Sequence, residues 1–524
     1  MSSLFDHRLK RLSGARLGPL LVRGRKGLEK ESLRVTRDGL IAQTPHPEAL
    51  GSALTHPYLT TDYSEALLEL RTPPCEDVRE TLEFLREVHQ FVYRNLGEEL
   101  LWAASMPCRL EGDTSIPIAR YGRSNRGMMR HVYRRGLAYR YGRAMQAIAG
   151  IHFNYSLPEE FWPWFHEQEE NQSELRDFIS GSYFSLIRNF QRLSWLVLYL
   201  FGSSPAVGRS FTALCHGGFP AFDPNTDFGP NATSLRMSDI GYKNRNQAHL
   251  HVSYNSLAEY VANLTEAIET PDPDYERIGV KVDGEYRQLN DHVLQIENEY
   301  YSFVRPKRIA RSGEKPTLAL KRRGVQYVEI RALDVSPFDP IGVNETDLRF
   351  LEALLLLCLL EESPPISALE QKSIGHNQNT VACCGREPGL RLQVQARETT
   401  RPLKDWVKEI FDKVNGICEL LDTGRKESLY INALERQREK VENSETLPSA
   451  RVLAEMRARG ESFYAFGLRV SQDHGRYFKG LPLGEDRLRV FREAATESLR
   501  KQKALEEADT VSFDEYLQDY FAQS

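Results

Sequence analysis

Between Gly150 and Ser156 the apolar residues Ile151, Phe153 and Tyr155 alternate with His152, Asn154 and Ser156. Between Val325 and Leu333, Val328, Ile330 and Ala332 alternate in the same way with Tyr327, Glu329 and Arg331. Glu29 and Glu31 keep the two-residue rhythm within Gly27-Leu28-Glu29-Lys30-Glu31. In Asp62–Arg71, Ala66, Leu68 and Leu70 share one side while Glu65, Glu69 and Arg71 share the other, with Leu67 breaking the pattern. A strand sends successive side chains to opposite faces, so each segment predicts a strand with its polar set on one side. Together they predict a sheet with one apolar face and one face able to hold cations and a phosphate.

A 3.6-residue period takes over elsewhere. Cys75–Asn95 carries a stripe of Leu82, Phe84, Leu85, Val88 and Val92 and reads as an amphipathic helix. Residues 173–201 begin polar and become apolar through Trp195–Leu200, as a buried helix does, and Gly202-Ser203-Ser204-Pro205 ends it. Beyond Gly342, residues 347–361, 404–422, 449–460 and 487–508 read as helices, and no comparable strand-rich stretch returns. The expected architecture is α+β over residues 15–345 and mainly helical over 346–524, the two packed as one large domain.

Composition narrows the function. Hydrophobic content of 41% and charged content of 27% fit a soluble globular chain. A net charge of −5 argues against a nucleic-acid partner bound through bulk electrostatics. The longest apolar run, Ala353–Leu360, falls well short of the ~20 residues that cross a bilayer, so no membrane partner is expected. Seven scattered cysteines and no secretory h-region point to the cytoplasm.

Neither a Walker-A pattern nor a GxGxxG turn occurs, so a bound nucleotide needs another cradle. His166-Glu167 opens like a zinc-protease helix but lacks the second histidine, and His249 with His251 lacks a third ligand. Cys383-Cys384 beside Gly385 reads as a loop feature. The carboxylates carry more. Any one of them reads as a solvated strand face, but acids crowded on a shared face repel unless cations neutralise them. Hard oxygen donors suit Mg²⁺ or Mn²⁺ rather than structural zinc. The residues by themselves lead to a metal-binding α+β enzyme, with phosphoryl transfer as one reaction open to it.

At these same residues the sequence resembles the bacterial glutamate–cysteine ligases. The matching blocks include Gly27–Val35, His46–His56, Thr60–Glu69, Ser105–Cys108, Gly150–Asn154, Ala232–Asp239, Leu294–Glu299, Arg305–Arg308 and Tyr327–Asp334, spanning about residues 20–345. Lys30 and Ser32 stand where Arg and Thr are expected. The resemblance implies a curved antiparallel sheet similar to the glutamine synthetase catalytic fold. It implies that ATP phosphorylates the γ-carboxylate of glutamate and that the amine of cysteine then attacks, the first step of glutathione biosynthesis. It further implies Glu29, Glu31, Asp62, Glu69, His152 and Glu329 as ligands of two or three Mg²⁺ or Mn²⁺ ions, with Arg331 and Glu329 as catalytic groups. Tyr133, Arg134, Gln146, Asn154, Arg236, Tyr242 and Tyr301 are the implied amino-acid contacts, and Arg331, Arg305 and Lys307 the implied ATP contacts. A ligase of similar fold with another amine acceptor is the alternative, and a non-catalytic metal-binding protein the second. Feedback by glutathione, oligomeric state and the choice of metal are left open.

Overall fold

Seven strands form one antiparallel sheet: β1 (Arg25–Val35), β2 (Leu59–Thr61), β3 (Leu67–Arg71), β4 (Leu100–Leu101), β5 (Ile151–Ser156), β6 (Val304–Lys307) and β7 (Tyr327–Leu333). They lie in the order β6-β7-β5-β1-β3-β2, with β4 paired to the end of β1. The computed structural model describes residues 3–215, 218–241, 250–394 and 399–523. The alternation predicted for 151–156 and 327–333 is realised: Ile151, Phe153, Tyr155, Val328 and Ile330 are fully buried on one face. A register shift between Ile330 and Leu333 puts an irregularity into the β7–β5 ladder, a device that bends and twists a sheet.

Three helices cover the apolar face. Helix α1 (Val78–Asn95) begins at Asp77, whose side chain accepts the Arg79 N–H at 2.7 Å, and its buried stripe includes Phe84, Leu85, Val88 and Val92. Helix α2 (Asn125–Tyr141) is arginine-rich and belongs to the other, polar side of the sheet. Helix α3 (Leu175–Phe201) and helix α4 (Glu345–Leu360) complete the cover of the apolar face. Every residue of α4 from Asp347 to Leu360 is buried, as expected for a helix with neighbours all round. The remaining helices include α5 (Ala368–Cys384), α6 (Leu403–Asp422), α7 (Leu429–Glu442), α8 (Pro448–Arg459), α9 (Phe463–Gly480) and α10 (Glu485–Ala508). One continuous hydrophobic cluster runs from Phe5 to Ala495 and joins the helical second half to the sheet. Among the described residues no helix is long and apolar enough to cross a membrane.

The chain returns to the sheet through α10. Gly51, at φ 80°, lies so close to this helix that a Cβ would fall 2.8 Å from the Ala495 Cα. Two other expectations change. Glu65 does not share the face of Glu69: β3 starts at Leu67, and the Glu65 carboxylate accepts the backbone N–H of His46 (2.9 Å) and of Arg120 (2.8 Å). Cys383 and Cys384 close helix α5 rather than lying in a loop.

The helix-facing side of β1 also carries charge. Lys26 is buried, pairs with Glu352 of α4 at 2.8 Å and donates to the carbonyls of Val22 and Glu76. Glu352 in turn accepts the Tyr430 hydroxyl at 2.8 Å. Removing one partner of such a pair strands the other charge. Glu352→Leu is therefore expected to cost roughly 3–5 kcal/mol in denaturant unfolding. A loss below about 1 kcal/mol would mean that the pair does not tie α4 to the sheet.

Candidate active site

The ladder sets the polar face. Glu29 lies opposite His152 and Glu31 opposite Glu69. Glu329 lies opposite Asn154 on one side and Arg305 on the other. Alternation therefore brings Glu29 and Glu31 of β1, Glu69 of β3, His152 and Asn154 of β5, Glu329 and Arg331 of β7, and Arg305 and Lys307 of β6 to one surface. Asp62 joins from the turn that follows β2, its N–H bonded to the Leu67 carbonyl at 3.0 Å.

The acids fall into two groups. In the first, ligand atoms of Glu29, His152 and Glu329 all lie within 4.8 Å of one another. His152 Nδ1 is 3.2 Å from Glu29 Oε2, and Asn154 donates to Glu29 Oε1 at 2.9 Å. Lys307 (3.1 Å) and Arg331 (3.2 Å) pair with Glu329. Burial works to raise both carboxyls. At Glu329 the charges of Lys307 and Arg331 outweigh it and hold the group well below the usual range. At Glu29 the bond from His152 lowers the group against burial and the charge of Glu329. Burial, helped by the charge of Arg331, lowers His152 and favours a neutral imidazole able to ligate.

In the second group, Glu31, Asp62 and Glu69 repel one another. Burial and then the charge of Asp62 push Glu31 well above the carboxylate range. Burial pushes Glu69 up to about 7, against the pull of Arg71. Glu31 is oriented by the Gly150 N–H at 2.7 Å, and its other oxygen lies 3.7 Å from His152 Nε2. The buried Oδ1 of Asn154 has no hydrogen-bond partner among the described residues. Carboxylate oxygens, one imidazole and excess negative charge are a donor set that could hold hard divalent cations.

Beside the second group lies a cavity of about 110 Å³. Tyr133, Arg134, Gln146 and Tyr301, all implied amino-acid contacts, line it together with Arg305 and Arg331. Arg236 stands behind them: it is buried, lies 3.6 Å from Asp334 and donates to the Arg331 carbonyl at 2.9 Å. Its charge reaches both Glu31 and Tyr301. Arg305 donates to the Asn298 and Tyr300 carbonyls, which anchors the cavity's far wall. Tyr242 and His249 lie outside the described residues. His166 bonds the Ser173 carbonyl on the surface, away from this face.

Sequence reasoning assigned no role to Asn298 and Glu299, which line the cavity. Glu299 is buried against Arg140 at 3.0 Å and accepts the Tyr141 hydroxyl at 2.6 Å, so it braces the wall. Its place in the Leu294–Glu299 block was the available signal.

Comparison with known proteins agrees with this geometry. The family model "Glutamate-cysteine ligase" matches residues 9–381. The chain belongs to the glutamate–cysteine ligase family. A glutamate–cysteine ligase of Alcanivorax borkumensis is 47% identical over 522 residues, covering 98% of this chain and 99% of the relative. One from Pseudomonas putida KT2440 is 49% identical over 522 residues, covering 100% and 99%. The solved glutamate–cysteine ligase of Francisella tularensis in complex with AMP superposes with a TM-score of 0.89 at 35% identity, covering 95% of this chain and 97% of that one. Family likeness thus reaches past residue 345 into the helical half.

The raised carboxyls make a prediction. A carboxyl held at a raised pKa keeps its proton in the folded state, so cation binding there must expel it. With Glu69 at about 7, Mg²⁺ affinity should tighten up to about tenfold per pH unit between about pH 5.5 and 7. Without the ion, stability should fall as pH rises across that interval, because the unfolded carboxyl gives up its proton first. Thermal shifts on Mg²⁺ titration at both pH values measure this. A pH-independent affinity would remove Glu69 from the cation site.

Proposed function

We propose that this chain joins the γ-carboxylate of L-glutamate to the amine of L-cysteine at the expense of ATP, in the cytoplasm, as the first step of glutathione biosynthesis. One observation carries the reading: in a chain of this family, six candidate metal ligands and Arg331 converge beside a small cavity walled by tyrosines and arginines. The α+β core, residues 15–345, and the helical remainder work as one catalytic unit.

The residues divide by role. Glu29, His152 and Glu329 would hold one cation, and Glu31, Asp62 and Glu69 another. When bound, Mg²⁺ or Mn²⁺ ions supply neutralisation of the phosphate oxygens during phosphoryl transfer. Arg331, within the cavity wall and two residues from Glu329, faces the transferred phosphoryl group with a planar fork of donors. Arg305 and Lys307 on β6 contribute positive charge along the phosphate chain. A γ-carboxylate oxygen of glutamate attacks the terminal phosphorus and ADP leaves. The amine of cysteine then attacks the acyl carbon, and phosphate departs with that oxygen. Tyr133, Arg134, Gln146, Asn154, Arg236, Tyr242 and Tyr301 position the two amino acids, with Arg236 as the partner for the cysteine carboxylate.

ADP release tests the proposal. Glutamate with cysteine should support turnover, 2-aminobutyrate should replace cysteine because a small pocket discriminates weakly against an isostere, and ammonia should not. Arg331→Lys should lower kcat by about 100-fold or more while the glutamate KM moves by less than about threefold. Preference for ammonia, or a pure KM effect at Arg331, would contradict the assignment.

A further inference from the structure

A second cavity, of about 570 Å³, opens at the Arg71 end of β3, beside the loop that leads into the β2 edge strand. Its polar wall is basic: Arg71 from the end of β3, Arg126 and Arg130 from α2, and Arg500 and Lys501 from α10. Among the described residues two carboxylates pair with these five cations. Glu69 lies 3.4 Å from Arg71, and Glu497 holds Arg500 at 2.7 Å and Lys501 at 3.8 Å. Among the described residues no carboxylate lies within 4.0 Å of Arg126 or Arg130. Arg130 packs against the Tyr121 ring at 5.4 Å, and burial with the charges of Arg134, Arg126 and Arg71 pulls it down to about 10.

His56 supplies an independent sign of a ligand. It is 3% exposed and lines the same cavity. Its Nδ1 accepts the backbone N–H of Tyr58 at 3.0 Å and of Leu59 at 2.9 Å, which leaves the ring proton on Nε2. That buried Nε2 has no hydrogen-bond partner among the described residues, whereas Arg71 Nε lies 3.4 Å from Glu69 Oε1. A buried donor left unpaired is costly, so the site favours an acceptor that completes it. Leu54 and Leu505 close the apolar side of the cavity and keep its dielectric low, which strengthens attraction to an anion.

We propose that this cavity binds a polyanion of the phosphate class, held by Arg71, Arg130 and the His56 Nε2–H and closed from outside by Arg500 and Lys501. The helical second half thereby gains a binding role, because α10 brings the outer pair of cations. The cavity is separate from Arg305 and Lys307: β3 stands four strand steps from β6, ~19 Å along the sheet. That separation exceeds the reach of one phosphate chain, so the anion is a free phosphorylated small molecule or the phosphate chain of a second nucleotide, not the chain beside Arg305 and Lys307.

Calorimetric titration of the full chain with inorganic tripolyphosphate tests this without turnover, so its failure is distinct from failure of the ligase reading. Arg130→Gln should weaken binding by at least about tenfold, and the exposed pair Arg500→Gln/Lys501→Gln by about threefold or more, with a shallower salt dependence. Arg489→Gln, on an exposed stretch of the same helix, should leave it unchanged. Should Arg130→Gln not fold, the Arg500/Lys501 pair, 69% and 56% exposed, carries the test. Displacement of tripolyphosphate by ATP identifies a second nucleotide as source. Unaltered binding under saturating ATP identifies a free anion. Variants that bind within about twofold of the unmodified chain overturn the proposal, as the cavity is then only a solvated basic cleft.

Discussion

Mutual repulsion among carboxylates is the interaction around which this protein is organised. Glu29 and Glu31 of β1, Glu69 of β3 and Glu329 of β7, the last separated from β1 by β5, are brought to one face by the antiparallel register. A sheet cannot relieve that crowding by rotation, since a one-residue slip would carry the same acids into the apolar core. Countercharge must come from elsewhere. The structure draws it from the outer strand, through Lys307, from Arg331 within β7 and from Arg71 at the end of β3. It leaves Glu31 and Glu69 undercompensated, and that residual demand is what suits the face to cations.

The same strand is charged on its other side. Lys26 and Lys30 of β1 point into the helix layer, where Lys30 lies 3.0 Å from His89 Nε2 and burial lowers it to about 7. His89 donates its Nδ1 proton to the Leu85 carbonyl at 2.7 Å, so Nε2 is free to accept from Lys30. Charges on both faces of one strand make β1 sensitive to the position of α1 and α4. The helices do more than cover apolar surface: they hold the strand that carries two of the acids. The glycine contact at Gly51 and the hydrogen bond from Ser52 N to Ser498 Oγ (2.8 Å) tie α10 to the loop before β2 in the same way.

Period-two alternation made β5 and β7 readable in the sequence, and the apolar stripe of α1 was readable within three residues of its start. Asp62 was nameable from the resemblance but not from periodicity, because it occupies a turn. Helix α2 escaped notice since its arginines and tyrosines face a cavity and no clean apolar stripe remains; α5 lacks one as well. Glu65 was misplaced because alternation was extended two residues before the strand begins, into a segment whose backbone N–H donors claim the carboxylate. The buried Lys26–Glu352 pair had no local signature, its partners being separated by more than three hundred residues of chain.

The central claim is that the acidic face activates a carboxylate by phosphorylating it, and oxygen tracing tests that most directly. Glutamate labelled with ¹⁸O in its γ-carboxylate would be turned over with ATP and cysteine, and the inorganic phosphate analysed by mass spectrometry. An acyl phosphate route requires that each phosphate released carry one labelled oxygen and that the peptide keep the other. Unlabelled phosphate alongside product formation would show that the carboxylate was never phosphorylated and would contradict the account.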